Sequence, residues 1–274
     1  MSKTIFITGA SKGFGYLWTE AFLKRGDKVA ATSRDTKGLQ DLADKYGDSF
    51  LPIQLDITDK DAVNAAVTIV KDHFDGLDVV INNAGYGVFG AVEEVNEKEA
   101  RDVFDANVFG SLFVTQAALP IFRAQGHGHV ILLSSVLGVF TLPTFGIYNA
   151  TKFAIEGLGE TLASEVKDFG INVTLVEPNG YATEFGGSSA VMSNTIDAYN
   201  PVREILNAAE GMQDANFGVP EATVPAILKL IDEKNPPLRY FLGKVGLPVA
   251  KETYKGRLAE WEKYADVANA AHGK

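Results

Sequence analysis

A tyrosine and a lysine four residues apart are the side chains in this sequence whose types and spacing best suit proton transfer. Tyr148 and Lys152 lie in the segment Tyr148-Asn-Ala-Thr-Lys152, which is predicted to begin a helix, so both would lie on one helix face. A tyrosine with an ordinary pKa of about 10 is a poor base at neutral pH. A neighbouring ammonium favours the phenolate and lowers that pKa. Taken alone, this spacing is common on helices, and a chance pair is the simpler interpretation.

Two serines at the end of a predicted strand give the pair more weight. Ser134 and Ser135 follow the apolar run His129–Leu133, and Ser135 precedes Tyr148 by 13 residues. Ligands of parallel α/β sheets bind beyond the carboxyl ends of the strands. The serines are therefore predicted to lie at the edge of the sheet where ligands bind.

A glycine-rich loop follows the first predicted strand. The segment Thr8-Gly-Ala-Ser-Lys-Gly-Phe-Gly15 has three glycines where the chain must turn sharply and approach a ligand without a Cβ in the way. The helix that begins there directs free N–H groups and its positive dipole end at phosphates. An ordinary strand-to-helix turn is the alternative, but the position directly after strand one favours a dinucleotide site.

The end of the second predicted strand bears on which dinucleotide is bound. Ser33 stands where NAD-binding sheets carry an acidic residue for the ribose 2′-hydroxyl, and Arg34 follows it. An arginine suits a 2′-phosphate, and Lys12 in the glycine loop would add a second cation. We therefore expect NADP(H). The alternative is that both are solvated surface charges, and Asp35 could also neutralise Arg34.

Short apolar runs alternate with amphipathic stretches along the chain. The predicted strands are Thr4–Thr8, Lys28–Thr32, Phe50–Leu55, Asp78–Ile81, His129–Leu133, Asn172–Val176 and Leu238–Leu242. The predicted helices are Gly15–Lys24, Lys37–Tyr46, Asp59–Phe74, Glu97–Ala124, Ala150–Asp168 and Glu221–Glu233. Because the strands are apolar throughout rather than alternating, they should be covered on both faces. The pattern predicts an α/β fold with a doubly wound, seven-stranded parallel sheet of Rossmann type.

We expect residues 1–274 to form a single domain, although the length would permit two. Thr183–Val219 interrupts the alternation with a long Gly-, Ser- and Asn-rich connection, and we interpret it as a lid over a substrate pocket. The tail Pro248–Lys274 is predicted to be helical and to pack on the domain.

Composition excludes several classes of function. The formal net charge of −10 argues against a nucleic-acid-binding protein, and the absence of cysteine excludes disulfides and thiol nucleophiles. His127 and His129 flank a glycine; a turn entering a strand is a simpler explanation than a metal site, because no carboxylate cluster accompanies them. No apolar run is long enough for a signal peptide or a spanning helix, so we expect a cytoplasmic protein that binds no membrane.

Taken together and in order, the motifs resemble those of the short-chain dehydrogenase/reductase family, in its compact, NADP-preferring branch. The resemblance covers about the first 185 residues and rests on Thr8–Gly15, Asp56-Ile-Thr58, Asn82-Asn-Ala-Gly85, Asn107, Ser135, Tyr148 and Lys152.

The resemblance implies a set of catalytic roles. Tyr148 would be the general acid in reduction and the base in oxidation, and Ser135 would orient the substrate carbonyl. Lys152 would hold the nicotinamide ribose and, with the positive charge of oxidised nicotinamide, lower the tyrosine pKa. Asn107 would anchor a water that connects the lysine to solvent.

The resemblance also implies a cofactor site. Asp56 and Ile57 would flank the adenine, and Asn83, Ala84 and Gly85 would pass under the cofactor. The full set is Gly9, Ser11, Lys12, Gly13, Phe14, Gly15, Ser33, Arg34, Asp56, Ile57, Asn83, Ala84, Gly85, Tyr148, Lys152, Pro178, Tyr181 and Thr183.

One position departs from the family pattern. Asn179 replaces the glycine that usually follows Pro178. Asparagine tolerates left-handed backbone, so the turn is expected to survive, with the side chain available to a substrate.

The expected activity is hydride transfer between NADP(H) and a ketone or secondary alcohol, as in a carbonyl reductase or an alcohol dehydrogenase. An apolar substrate is expected because aromatic and aliphatic residues lie near the predicted mouth, namely Phe89, Val136, Phe140, Leu142 and Phe145. Each of these could instead complete the core or a subunit interface, and the family implies a homo-oligomer, a dimer or tetramer. Two alternative functions are a non-catalytic NADP(H) sensor, and a sugar-nucleotide epimerase or dehydratase of the extended branch.

Overall fold

The computed structural model describes residues 2–183, 185, 187, 189–211 and 217–273, with only the backbone for 207–211. Within these residues seven strands form one parallel sheet in the order β3-β2-β1-β4-β6-β7-β9. Their bounds are β1 Thr4–Ile7, β2 Lys28–Ser33, β3 Phe50–Gln54, β4 Val79–Asn82, β6 Gly128–Leu133, β7 Ile171–Pro178 and β9 Arg239–Leu242. The predicted seven-stranded parallel α/β sheet is confirmed.

Helices cover both faces of this sheet. Their bounds are α1 Gly13–Arg25, α2 Gln40–Tyr46, α3 Lys60–Phe74, α4 Glu97–Phe104, α5 Ser111–Gln125, α6 Gly146–Val166, α7 Asn200–Gly211, α8 Val224–Asp232, α9 Gly246–Lys263 and α10 Ala265–Ala270. One apolar cluster packs α3, α5 and α6 against the sheet, and a second packs α1, α2 and α8 on the opposite side. This double coverage explains why the strands are apolar on both faces.

The predicted helix Glu97–Ala124 is interrupted at its centre. Residues Asp105–Gly110 form a π-helical segment between α4 and α5. A Cβ on Gly110 would lie only 2.6 Å from Cδ1 of Ile57, so the glycine permits a close approach between this segment and the chain after β3. Such π segments occur frequently at functional sites.

The segment interpreted as a lid is anchored to the body in its described part. Strand β5, Val88–Phe89, pairs in parallel with β8, Val191–Met192. The fully buried carboxylate of Glu94 accepts hydrogen bonds from the guanidinium of Arg203 at 2.7 and 2.9 Å and from the backbone N–H of Ile196 at 2.6 Å. Residues 184, 186, 188 and 212–216 of the predicted lid lie outside the described residues.

The C-terminal tail is helical, but the expectation that it packs on the domain is wrong for most of its length. Gly246 and Ala250 are buried, whereas every described residue after Arg257 is exposed, including Trp261 at 61% and Val267 at 68%. Charged side chains such as Glu260, Glu262 and Lys263 are interspersed along this segment, and the apolar side chains of Leu258 and Trp261 are exposed beside them. Among the described residues, no helix is both long enough and apolar enough to cross a membrane.

Candidate active site

A cavity of about 1600 Å³ opens at the carboxyl ends of the sheet strands. The parallel register places the ends of neighbouring strands together; Leu133 of β6 pairs with Val176 of β7, so Ser135 and Pro178 follow at adjacent positions. All the predicted site residues line this cavity except Gly15 and Asn107. These two lie just behind the wall and are described below.

The glycine loop has the backbone geometry that its sequence predicts. Gly9 and Gly13 have φ angles of 68° and 58°, which side chains rarely tolerate. A Cβ on Gly15 would lie 2.4 Å from the carbonyl oxygen of Gly9, so this position acts through close packing rather than by facing the cavity. The Nδ2 of Asn83 donates to the carbonyl oxygens of Thr8 and Gly9 at 2.8 and 2.9 Å. The loop is therefore fixed to the end of β4.

The first turn of α1 is left open for an anion. Lys12 is the N-cap residue, its side chain does not cap the helix, and the first turn contains no acidic residue. Free N–H groups at a helix N-terminus attract phosphate. This arrangement and the space kept by the missing Cβ atoms fit the pyrophosphate of a dinucleotide.

The end of β2 carries the two residues predicted to choose the dinucleotide. Ser33 is half-buried and Arg34 is exposed, and both line the cavity. Asp35 accepts a hydrogen bond from the backbone N–H of Lys37 at 2.9 Å, and its charge next to Arg34 is still present. The pKa of Asp56 is lowered mainly by the N–H and hydroxyl of Thr58, with a smaller contribution from the positive charge of Arg34. Asp56 is therefore the carboxylate whose charge Arg34 influences.

Ser135, Tyr148 and Lys152 meet at the inner end of the cavity, and all three are buried. Burial raises the pKa of Tyr148, and a hydrogen bond with the Ser135 side chain only partly opposes this. Without a bound cofactor, burial therefore sets the direction of the shift, and the lowering expected from Lys152 together with an oxidised nicotinamide stays a prediction. Nζ of Lys152 lies 5.6 Å from the centre of the tyrosine ring and donates to the carbonyl oxygen of Leu133 at 2.7 Å. Burial lowers the pKa of Lys152 to about 8, and the charge of Glu156 opposes this shift.

Asn107 lies in the π segment and ties three parts of the chain together. Its Nδ2 donates to the carbonyl oxygen of Tyr86 at 2.9 Å and to Oγ1 of Thr151 at 3.2 Å, while its Oδ1 accepts from the N–H of Tyr86 at 3.0 Å. A Cβ on Gly85 would lie 2.8 Å from that Oδ1, so the glycine is required for the approach. Asn107 thus braces the loop after β4 against the helix that carries Tyr148.

The segment after β7 differs from its sequence interpretation at Asn179. This asparagine does not adopt a left-handed backbone; the positive φ angle, 98°, belongs to Gly243 opposite it. A Cβ on Gly243 would lie 1.5 Å from Oδ1 of Asn179, so the side chain packs over that glycine while also lining the cavity. Tyr181 packs edge-on against Phe14 with ring centres 5.1 Å apart, which joins this segment to the glycine loop.

The outer part of the cavity is mostly apolar. The five predicted mouth residues all line it, and Phe185, in the segment interpreted as a lid, has its ring centre 5.3 Å from that of Tyr148. One wall of the cavity was not predicted from the sequence; it is formed by α9 and its N-cap residue, at Val245, Val249, Thr253 and Arg257. Their spacing of four residues was the available signal, but no motif linked the tail to the site.

The two histidines of the glycine-flanked pair do not converge. Nε2 of His127 lies 3.1 Å from Oδ1 of Asp78 at the surface, whereas Nε2 of His129 lies 2.9 Å from Oγ1 of Thr174 inside the sheet. Across the described part of the chain, no group of three His, Cys, Asp or Glu side chains is arranged to hold a metal ion.

Comparison with known proteins agrees with this geometry. The family model for short chain dehydrogenase matches residues 3–193. The chain belongs to the short-chain dehydrogenase family. This short-chain dehydrogenase is 35% identical over 273 residues to oxidoreductase BOA17 of Botryotinia fuckeliana, covering 99% of this chain and 100% of that protein.

Solved structures of other proteins have folds similar to that of this short-chain dehydrogenase. It matches a short-chain dehydrogenase from Streptomyces avermitilis with a TM-score of 0.90 and 36% identity, covering 98% of this chain and 99% of the other. It also matches ElxO, solved with NADP bound, with a TM-score of 0.73 and 25% identity, covering 88% and 96% of the two chains. The protein is therefore an oxidoreductase of this family.

Proposed function

We propose that this short-chain dehydrogenase transfers hydride between NADP(H) and an apolar ketone or secondary alcohol. The observation that carries the proposal is the buried group of Ser135, Tyr148 and Lys152 at the inner end of a cavity that begins at the glycine loop. The similarity to ElxO, which was solved with NADP bound, supports the proposal that this chain uses the same cofactor.

The cofactor supplies or accepts the hydride when it is bound. The first turn of α1 would hold its pyrophosphate, and Arg34 with Lys12 would bind the 2′-phosphate. Asp56 and Ile57 would flank the adenine, and Lys152 the nicotinamide ribose. The glycines whose missing Cβ atoms keep this space open, together with the uncapped helix N-terminus, are the features that fit a dinucleotide.

The hydroxyl of Tyr148 would donate a proton to the carbonyl oxygen during reduction, while Ser135 orients that oxygen. Because burial raises the pKa of Tyr148, the ring keeps its proton at neutral pH, which is the state that reduction requires. In the oxidation direction the positive charges of Lys152 and of an oxidised nicotinamide would have to offset the cost of burial. Because the proton transfer is reversible, the phenolate that carbonyl reduction leaves behind would need the same stabilisation by these charges.

The substrate end favours apolar compounds over short keto acids. Phe89, Phe140, Phe145 and Phe185 line it, and an arginine clamp for a carboxylate beside the carbonyl would be needed to hold a keto acid. Arg203, which also lines the cavity, is already bound to Glu94 through two hydrogen bonds. We propose that Thr183–Val219 is the lid over this end of a single domain.

A panel of ketones, aldehydes and α-keto acids, followed by NADPH absorbance with NADH in parallel, tests the proposal. Tyr148→Phe should lower kcat by about 10²–10⁴-fold, the size usual for general acid–base catalysis, with NADPH affinity unchanged. Tyr46→Phe, at the end of α2 away from the cavity, is the matched control and should leave kcat unchanged. Retention of more than about a hundredth of kcat by Tyr148→Phe would contradict the assigned role, and an α-keto acid as best substrate would contradict the apolar pocket.

A further inference from the structure

One side of the C-terminal helix α9 forms a continuous wall of the cavity. Val245, the N-cap residue of α9, is followed at intervals of four by Val249, Thr253 and Arg257, and all four line the cavity. Residues four apart lie on one helix face, so they make a single stripe. The stripe is apolar at its start, carries a hydroxyl further along and ends in a guanidinium.

The stripe begins beside Val136, the residue that follows Ser135, and ends about three helical turns further along α9. A Cβ on Gly246 would lie 3.0 Å from Cγ1 of Val136, the residue that follows Ser135. Arg257 lies eleven residues beyond Gly246 on the same helix. At about 1.5 Å per residue this is roughly 16 Å along the helix axis. A substrate that reached both ends would need a long body between its carbonyl and the group bound by Arg257.

Arg257 is held at the mouth by aromatic rings rather than by a carboxylate. Its guanidinium carbon lies 5.7 Å from the ring centre of Phe153 and 5.3 Å from that of Tyr254. Among the described residues, no carboxylate oxygen lies within 4.0 Å of this guanidinium, although the chain carries ten more acidic than basic residues. A half-buried guanidinium that lies over two aromatic rings is well suited to a bidentate anion.

The same arginine lies where the cavity continues outward. A smaller groove of about 600 Å³ is also lined by Arg257, and it shares Thr141, Leu142 and Thr144 with the main cavity. The groove adds Val92, Pro143 and Phe153, so the apolar surface extends past the guanidinium. Arg257 is therefore placed to meet a group carried along an apolar path.

We propose that Arg257 recognises an anionic group at the far end of the substrate, so that the preferred substrate is a carbonyl compound with a long apolar body and a terminal carboxylate. This inference rests on the proposed reaction at Tyr148. It differs from recognition of a short keto acid, in which the carboxylate adjoins the carbonyl and cannot reach Arg257. The α9 stripe sets the distance between the two groups.

Three substrates of equal length test the charge requirement: an oxododecanoate with its ketone next to the terminal methyl group, the methyl ester of that acid, and dodecanone. The unmodified enzyme should reduce the acid with the highest kcat/KM. Arg257→Gln should lower kcat/KM for the acid by about tenfold, the size of one charge-assisted contact, and leave the ester and dodecanone unchanged. Lys255→Gln, which removes an equal charge from an exposed side chain near Glu252, should change none of them.

Calorimetric titration with dodecanoate separates this inference from the proposed reaction, because binding requires no turnover. Dodecanoate should bind the protein, and Arg257→Gln should raise its Kd by about tenfold while Lys255→Gln does not. If no ketone is reduced but this difference in Kd is found, the reaction is wrong and the anion site stands. If ketones are reduced but acid and ester are turned over equally, or both variants bind dodecanoate alike, the inference is overturned.

Discussion

Arg34→Ala is expected to weaken the use of NADPH while leaving the use of NADH almost unchanged. Arg34 lines the adenosine end of the cavity, where a 2′-phosphate would lie and a 2′-hydroxyl offers it little. Asp35, the next residue, accepts a hydrogen bond from the N–H of Lys37 but keeps its negative charge, and Asp56 also lies within reach of the arginine's charge, so both carboxylates reduce the effect.

The size of the effect follows from these contacts. A hydrogen bond between charged groups contributes about 1.5–3 kcal/mol, and an exposed side chain with a competing carboxylate retains about 1–1.5 kcal/mol of it. Because each 1.4 kcal/mol is a factor of ten, kcat/KM for NADPH should fall by about five- to tenfold. The loss should shrink as salt is added, since the Debye length is only about 8 Å at physiological ionic strength.

Steady-state kinetics with a saturating ketone and either cofactor provide the assay. Lys37→Ala is the matched control. Lys37 carries the same charge as Arg34 and lies three residues after it, but its side chain does not line the cavity. Ser33→Asp should shift the preference towards NADH by offering an acceptor to the 2′-hydroxyl and repelling the phosphate. Equal kcat/KM values for both cofactors in the unmodified enzyme, or equal losses in the Arg34 and Lys37 variants, would refute this reasoning.

Three further variants probe the buried polar groups. Burial lowers the pKa of His129 from 6.5 to about 4, so stability should fall as the pH drops from 6.5 towards 4, by up to about 3 kcal/mol; urea unfolding of His129→Gln should lack this loss. Burial and the negative charge of Glu156 raise the pKa of Glu177, so the folded state holds a proton that the unfolded state releases, and stability falls as pH rises above the ordinary carboxyl range. Glu177→Gln should flatten that fall, and an unchanged slope between about pH 5 and about pH 8 would contradict it. Glu94→Gln leaves Arg203 without its counter-charge, so limited proteolysis between residues 191 and 206 should become faster, and an unchanged rate would show that the pair does not anchor the lid.

Much of the fold could be predicted from the sequence because burial on both faces leaves a plain pattern. Strands such as Val79–Asn82 are covered on both faces. Their sequences therefore show neither the spacing of an amphipathic helix nor the alternation of a half-exposed strand. The glycine loop, Ser135 and the Tyr148–Lys152 pair were also predicted to face one cavity, because all lie at or near strand ends that a parallel sheet brings to one edge.

The features that were missed depend on contacts between distant parts of the chain. The π segment around Asn107 requires Gly110 to pack on Ile57, and a glycine inside a predicted helix was the only local sign of it. The raised pKa of Tyr148 follows from burial, which the spacing to Lys152 does not reveal. The α9 wall of the cavity depends on the position at which the chain leaves β9. The sequence pattern does not indicate in which direction α9 runs from there.

The last strand of the sheet to be synthesised carries an arginine that pairs with glutamates from earlier parts of the chain. Arg239 of β9 forms ion pairs with Glu156 and Glu160 of α6 and with Glu177 of β7. A nascent chain that has not yet exposed residue 239 outside the ribosome would bury the carboxyl groups of Glu156 and Glu177 without their guanidinium, which is unfavourable. We therefore expect α6 and β7 to reach their final packing late in synthesis, and a product that ends before residue 239 to be less stable than the full chain.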